Sequence, residues 1–244
     1  MLVTIFKLLF AFYALVHQYE GKNVVEKMKP WRDLACFPIV YNVVGFAVIS
    51  ILYVVSPGYL IEPEKMNLAL YFGVVTTHWS LFYVIIRRLG TSGVKKLTVP
   101  KKETRLFPSI FVFVSLNMLF TGYMMLALIF DRIPPWGHVD APQFIFYVVI
   151  NSVTAGFVEE LIWRGYFIEK LLASRKTEWK AIVYSSVSFA FIHGVIVIDK
   201  LAVTFLFGLI AGAYYVKERN LPVLMATHVI VDVIAFWLSL FRPI

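Results

Sequence analysis

The 244-residue chain is expected to fold as an all-α, polytopic bundle of membrane helices. Three observations point there. Mean hydropathy is +0.77 and 60% of the residues are hydrophobic, more apolar surface than a water-soluble domain could hide. The apolar residues fall in long unbroken runs, whereas barrel strands would alternate, and an open sheet cannot satisfy its edges in lipid. The basic side chains cluster in the short connections between those runs, as the positive-inside rule requires.

Eight runs are read as spans: 1–16, 34–56, 66–86, 108–130, 143–173, 181–198, 201–216 and 221–241. A bilayer core about 30 Å thick takes roughly 20 helical residues, so most of these can cross it. The first and seventh are short, and the first also suits a place along the interface, with Lys7 snorkelling to its edge. That first run lacks a basic leader and a small-residue cleavage site, so no cleavable signal is expected. The connections then alternate. Lys22, Lys27, Lys29 and Arg32 follow the first run; the next connection holds Lys65 against Glu62 and Glu64. A polar stretch from Arg87 to Phe107 carries Arg87, Arg88, Lys95, Lys96, Lys101, Lys102 and Arg105. Arg132 stands with Asp131 and Asp140; Lys170, Arg175, Lys176 and Lys180 follow the fifth run; Lys217 and Arg219 follow the seventh. Eight crossings with both termini outside place every strongly basic connection in the cytoplasm. Pro30, Pro57, Pro63, Pro100, Pro134, Pro135, Pro142 and Pro222 lie at or between the ends of runs, where a missing N–H costs little.

The chain is read as one integral membrane domain, 1–244, in the cell membrane. Helices in 1–130 carry no motif, and 143–244 form the core that does. The net charge of +8 follows from the loop lysines and arginines, so no nucleic-acid partner is expected. A single Cys36 excludes a disulfide framework and a thiolate metal cluster, and it has no His nearby to activate it.

Against this apolar background the ionisable residues of the C-terminal runs need a reason. A charged side chain at the centre of a bilayer costs roughly 2.5–3.5 kcal/mol on insertion scales, so it persists where it faces a polar cavity and acts. Glu159, Glu160 and Arg164 lie in the fifth run, His193 in the sixth, His228 and Asp232 in the eighth. Glu160 and Arg164 are four apart and share a helix face, which predicts an ion pair. Glu159 points about 100° away, has no partner on its own helix and is free to enter a cavity. That asymmetry separates a supporting acid from a reactive one. His228 and Asp232 are also four apart, so the acid is placed to orient the ring. Glu159 and His193 are about equally far from the intervening loop and are expected at one depth, with His228 nearer the cytoplasmic mouth. His78, beside Thr76, Thr77 and Trp79, is read as structural.

Glu159-Glu160-x-x-x-Arg164, Phe189-x-x-x-His193 and His228-x-x-x-Asp232 together resemble the three motifs of the CAAX protease and bacteriocin-processing family, also called the Abi family, which includes the Ras-converting CAAX endopeptidases. The resemblance runs from about Gln143 to the C-terminus. It implies a glutamic intramembrane endopeptidase. Glu159 and His193 would activate water, His228 and Asp232 would stabilise the oxyanion, Glu160 and Arg164 would support the site, and Phe189 would pack beneath His193. The family has Asn or Asp at the last position; an ionised Asp232 can only accept a hydrogen bond, which favours a role in orienting His228. No cofactor is expected. Zinc held by carboxylate and imidazole ligands is the alternative, although no His-Glu-x-x-His sequence is present. The implied partners are the lipid bilayer and a membrane-associated protein or peptide substrate, a prenylated CAAX tail among the candidates. Two competing readings are a noncatalytic immunity or scaffold protein and a proton-coupled transporter. The second is weakened by the lack of repeat symmetry.

Overall fold

The structure is a computed structural model that describes residues 30–55, 63–132, 139–193 and 197–240. Among these residues every regular element is helical. In chain order they are α1 (Pro30–Val55), α2 (Pro63–Thr98), α3 (Leu106–Ile129), α4 (Ala141–Ala173), α5 (Glu178–Ile192), α6 (Ile198–Glu218) and α7 (Leu221–Leu240). Five are long and apolar enough to cross a membrane: α2 from Asn67, α3, α4, α6 and α7. The protein is an all-helical integral membrane protein, but the expected count of eight crossings is not reached among the described residues. The run 1–16 lies outside them. The sixth run ends early, because α5 stops at Ile192 and His193 caps it, leaving 15 residues.

The stretch after Arg87 was expected to be a loop and is helical as far as Thr98. Its Leu89, Val94 and Leu97 are partly buried against the core, and that packing draws a basic segment into a helix. The change of direction sits at Gly90, where φ is +67° and ψ is 166°. Only glycine occupies that region without strain of order 1–3 kcal/mol.

The rod α4 is central. It packs against α2, α5, α6 and α7, while α1 lies on α2 and α5, and α3 on α6 and α7. Leu161, Ile162, Trp163, Phe167 and Ile168 of α4 are fully enclosed. The opposite extreme is α3, whose Phe107, Phe111, Met118 and Ile129 face outward, as side chains toward lipid do. Two segments of α4, Ile145–Asn151 and Glu160–Ile168, are π-helical, with N–H groups bonding five residues back. The second begins at the glutamate pair, and the Trp163 carbonyl within it accepts a hydrogen bond from Ser185 of α5. Gly156, one turn before the pair, lets α7 approach closely. A Cβ there would stand 2.9 Å from the Val229 nitrogen and 3.0 Å from the Met225 oxygen.

Polar contacts tie the helix ends together. Buried Asp33 accepts from Arg88 Nη1 at 2.8 Å and from the Tyr166 hydroxyl at 3.2 Å, joining α1, α2 and α4. The connection between α2 and α3 is strapped across the α6–α7 turn by Arg105 with Glu218, Lys101 N with the Arg219 carbonyl and Asn220 with Thr104.

Candidate active site

Glu159 sits at the end of an α-helical stretch of α4 and Glu160 opens the π-helical one, so the pair straddles a change of helical pitch. Both are buried, at 3% and 1% exposure, which in a membrane core demands partners. Glu160 has the one foreseen by spacing. Its Oε1 is 2.9 Å from Arg164 Nη1. The guanidinium carbon in turn lies over the Phe189 ring, 4.1 Å from its centroid, a cation–π contact that suits an arginine buried in an apolar layer.

The second partner of Glu160 was not foreseen. His228 Nδ1 donates to Glu160 Oε1 at 2.8 Å. Asp232 does not orient that ring: its Oδ1 is 3.8 Å from Nε2, beyond hydrogen-bond range and on the other side of the imidazole. Sequence spacing permitted the Asp232 contact, but the packing of α7 on α4 brings a closer carboxylate from another helix. His228 Nε2 reaches to 3.7 Å from Glu159 Oε2, so His228 is level with the acid pair and not nearer one mouth.

His193 lies where α5 ends. Its Nδ1 donates to the Phe189 carbonyl at 3.1 Å, which leaves Nε2 with its lone pair facing Glu159 Oε2 at 3.9 Å. Glu159 and His193 therefore do share a depth. Phe189 packs against His193, with centroids 4.7 Å apart, and it also meets His228 edge-on at 6.1 Å and stacks on Phe207 of α6 at 5.8 Å. Phe207 closes the other side of His228 at 4.8 Å. Nothing in the spacing of α6 distinguishes Phe207 from any lipid-facing phenylalanine.

Glu159 has no partner on its own helix, as its spacing implied, but it has one on another. His78 of α2 places Nε2 2.7 Å from Glu159 Oε1. The ring is held from behind by its Nδ1, which donates to the Val74 carbonyl at 2.9 Å, and edge-on by Tyr41 of α1 at 5.2 Å. His78 belongs to the cluster, 81 positions away in sequence, a separation that periodicity cannot bridge.

One carboxylate oxygen, Glu159 Oε2, thus has no hydrogen-bond partner among the described residues and lies between two imidazole nitrogens. Those nitrogens and the oxygen come from α4, α7 and the end of α5. The opening is on the side of His193 and Asp232, whose side chains are 20% and 18% exposed, whereas Glu159, Glu160 and Arg164 are enclosed. Among the described residues no group of three His, Cys, Asp or Glu side chains is arranged to hold a metal ion.

Residues 141–234 match the family model described as Rce1-like, the type II CAAX prenyl endopeptidases. This 94-residue segment of the 244-residue chain is similar to the CAAX prenyl endopeptidases, the family its three motifs resemble. The match covers α4 to α7 almost completely, and all seven motif residues fall inside it. No curated protein and no solved structure matches the chain. The segment similar to an endopeptidase family thus lies in a chain with five helices long and apolar enough to cross a membrane. The N-terminal helices α1 and α2 lie outside the match, yet α2 supplies His78 to the cluster.

Proposed function

We propose that the chain is an endopeptidase that hydrolyses a peptide bond near the C-terminus of a membrane-associated protein or peptide precursor, using water activated by Glu159 and His193. The observation that carries this reading is that Glu159 Oε2 has His193 Nε2 at 3.9 Å and His228 Nε2 at 3.7 Å, inside the segment that matches a peptidase family. Such separations suit one small molecule touched by all three.

In this mechanism His193 Nε2 accepts one O–H of the water and aims its oxygen at the scissile carbonyl carbon. Glu159 Oε2 takes the other proton as the C–O bond forms. The carbonyl oxygen becomes an oxyanion and receives a hydrogen bond from the protonated Nε2 of His228, whose Nδ1 is anchored on Glu160. When the C–N bond breaks, the proton on Glu159 passes to the departing nitrogen, and the carboxylate is restored. Arg164 keeps Glu160 an acceptor, and Asp232 stands at the open side, where it meets the substrate or the oxyanion's surroundings. The reading needs no metal. The basic connections, the membrane face at the mouth of the site and a prenylated CAAX tail as substrate are part of the same proposal, supported by the positive-inside rule and the family.

Glu159→Ala and His193→Ala are each expected to lower cleavage by about 10²–10⁴-fold, the usual worth of a general base, with insertion into the membrane unchanged. Purified Glu159→Ala protein with full activity would falsify the mechanism. A chelator that abolished activity, with zinc restoring it, would replace it by a metal-assisted one. Comparing C-terminal peptides from cells with and without the gene identifies the substrate and whether its cysteine is prenylated.

A further inference from the structure

We propose that His78 is a positioning residue of this peptidase, which aims Glu159 at the reacting water and shares one proton with it; the inference rests on the reading given above. The argument starts from hydrogen inventory. The Val74 carbonyl can only accept, so the Nδ1 of His78 carries a hydrogen. Nε2 and Glu159 Oε1 are 2.7 Å apart and buried. Two bare lone pairs at that distance would repel, so one proton lies between them.

That proton has two places. On Nε2 it makes an imidazolium beside a carboxylate, and Oε2 is then a base. On Oε1 it makes a neutral acid, and Glu159 cannot take a proton from water. The pair therefore decides whether Glu159 is competent. In the competent form the contact also pins one oxygen, which leaves the other turned to His193 and His228. His78 itself touches no reacting atom.

Other charged and titratable groups surround Glu159. His193 ends α5, and His228 and Asp232 come from α7. Arg164 lies on α4 itself, while Tyr41 of α1 and Lys200 of α6 interact with it electrostatically. Among the described residues only His78 is within hydrogen-bond distance of either carboxylate oxygen. The ring is fixed on three sides, by Val74, Tyr41 and Glu159, and such second-layer contacts orient reactive groups in designed and natural sites alike.

The test compares His78→Ala, His78→Gln and Glu159→Ala in the full-length protein, with a peptide substrate of the enzyme and kcat/KM measured against pH. His78→Ala is expected to lose about 100-fold in kcat, the scale of an ångström of misplacement, with KM nearly unchanged, and added imidazole is expected to restore activity. His78→Gln can still donate an N–H to Oε1 but carries no charge. It should retain more activity, with the acid limb of its profile displaced from the parent's, because the shared proton is lost. Wild-type kcat and an unshifted profile in both His78 variants, with Glu159→Ala inactive, would overturn this inference and leave the peptidase reading standing. An active Glu159→Ala protein would overturn both. Loss of kcat in His78→Ala without imidazole rescue, together with an unshifted profile in His78→Gln, would also overturn it, since a purely structural ring behaves that way.

Discussion

Consider the replacement of Glu160 by Gln and of Arg164 by Met, singly and together. The two side chains are each 1% exposed, and their charged atoms are 2.9 Å apart. Glu160→Gln keeps an acceptor for His228 Nδ1 but leaves the guanidinium buried without a counter-charge. Arg164→Met keeps an apolar stem over Phe189, which now faces the guanidinium at 4.1 Å, but leaves the carboxylate unneutralised. Breaking a buried pair from one side costs about 3–5 kcal/mol, mostly the penalty of the charge left behind. At roughly 2–4 °C per kcal/mol for a chain of this size, each single variant should melt about 10 °C lower. Removing both charges abolishes that penalty, so the double variant should fall well short of the summed losses, with a coupling of about 2 kcal/mol or more. Thermal unfolding in detergent micelles at one scan rate, followed by tryptophan fluorescence, measures all four proteins. Strictly additive shifts would show that the pair is not energetically coupled and that its role in holding the site is misassigned.

Gly156→Ala tests the approach of α7 to α4. The new Cβ would lie 2.6 Å from Val229 Cγ2 and 2.9 Å from the Val229 backbone nitrogen, so α7 must shift, at an overpacking cost of about 1–3 kcal/mol. Because His228 adjoins Val229, kcat is expected to fall about 10–100-fold, as misplacement of a positioned group does; an unchanged kcat would mean that the contact does not set the site. Asp232→Asn, read by steady-state cleavage, is expected to stay within about tenfold of the parent, because an amide can donate toward an oxyanion whereas Glu160 still anchors His228. If Asp232→Asn were as inactive as Glu159→Ala, the carboxylate would have a chemical role that its 3.8 Å separation from His228 does not suggest.

Several features were legible along the chain because they are local. A pair of ionisable side chains four residues apart in an apolar helix predicts its own contact, and Glu160 with Arg164 made it. The depth match between Glu159 and His193 followed from counting residues on either side of a shared loop, and it held. His228 with Asp232 met the same spacing criterion, yet the two stand 3.8 Å apart and the hydrogen bond goes to Glu160, since spacing shows which contacts a helix allows while the neighbouring helix decides which are tightest. The helical continuation through Thr98 was hidden by its lysines, whose polarity masked three apolar residues facing the core.

By itself, the order of residues determined that the chain is helical and lives in a membrane, and which three C-terminal helices carry the motif's ionisable groups, because a bilayer admits apolar helical runs and charges stand out against them. Only the tertiary structure decided that His78 closes on Glu159, that Glu160 in place of Asp232 holds His228, and that α4 changes pitch at the glutamate pair. These are contacts between distant segments. Their energies depend on how rods cross, which no single rod encodes.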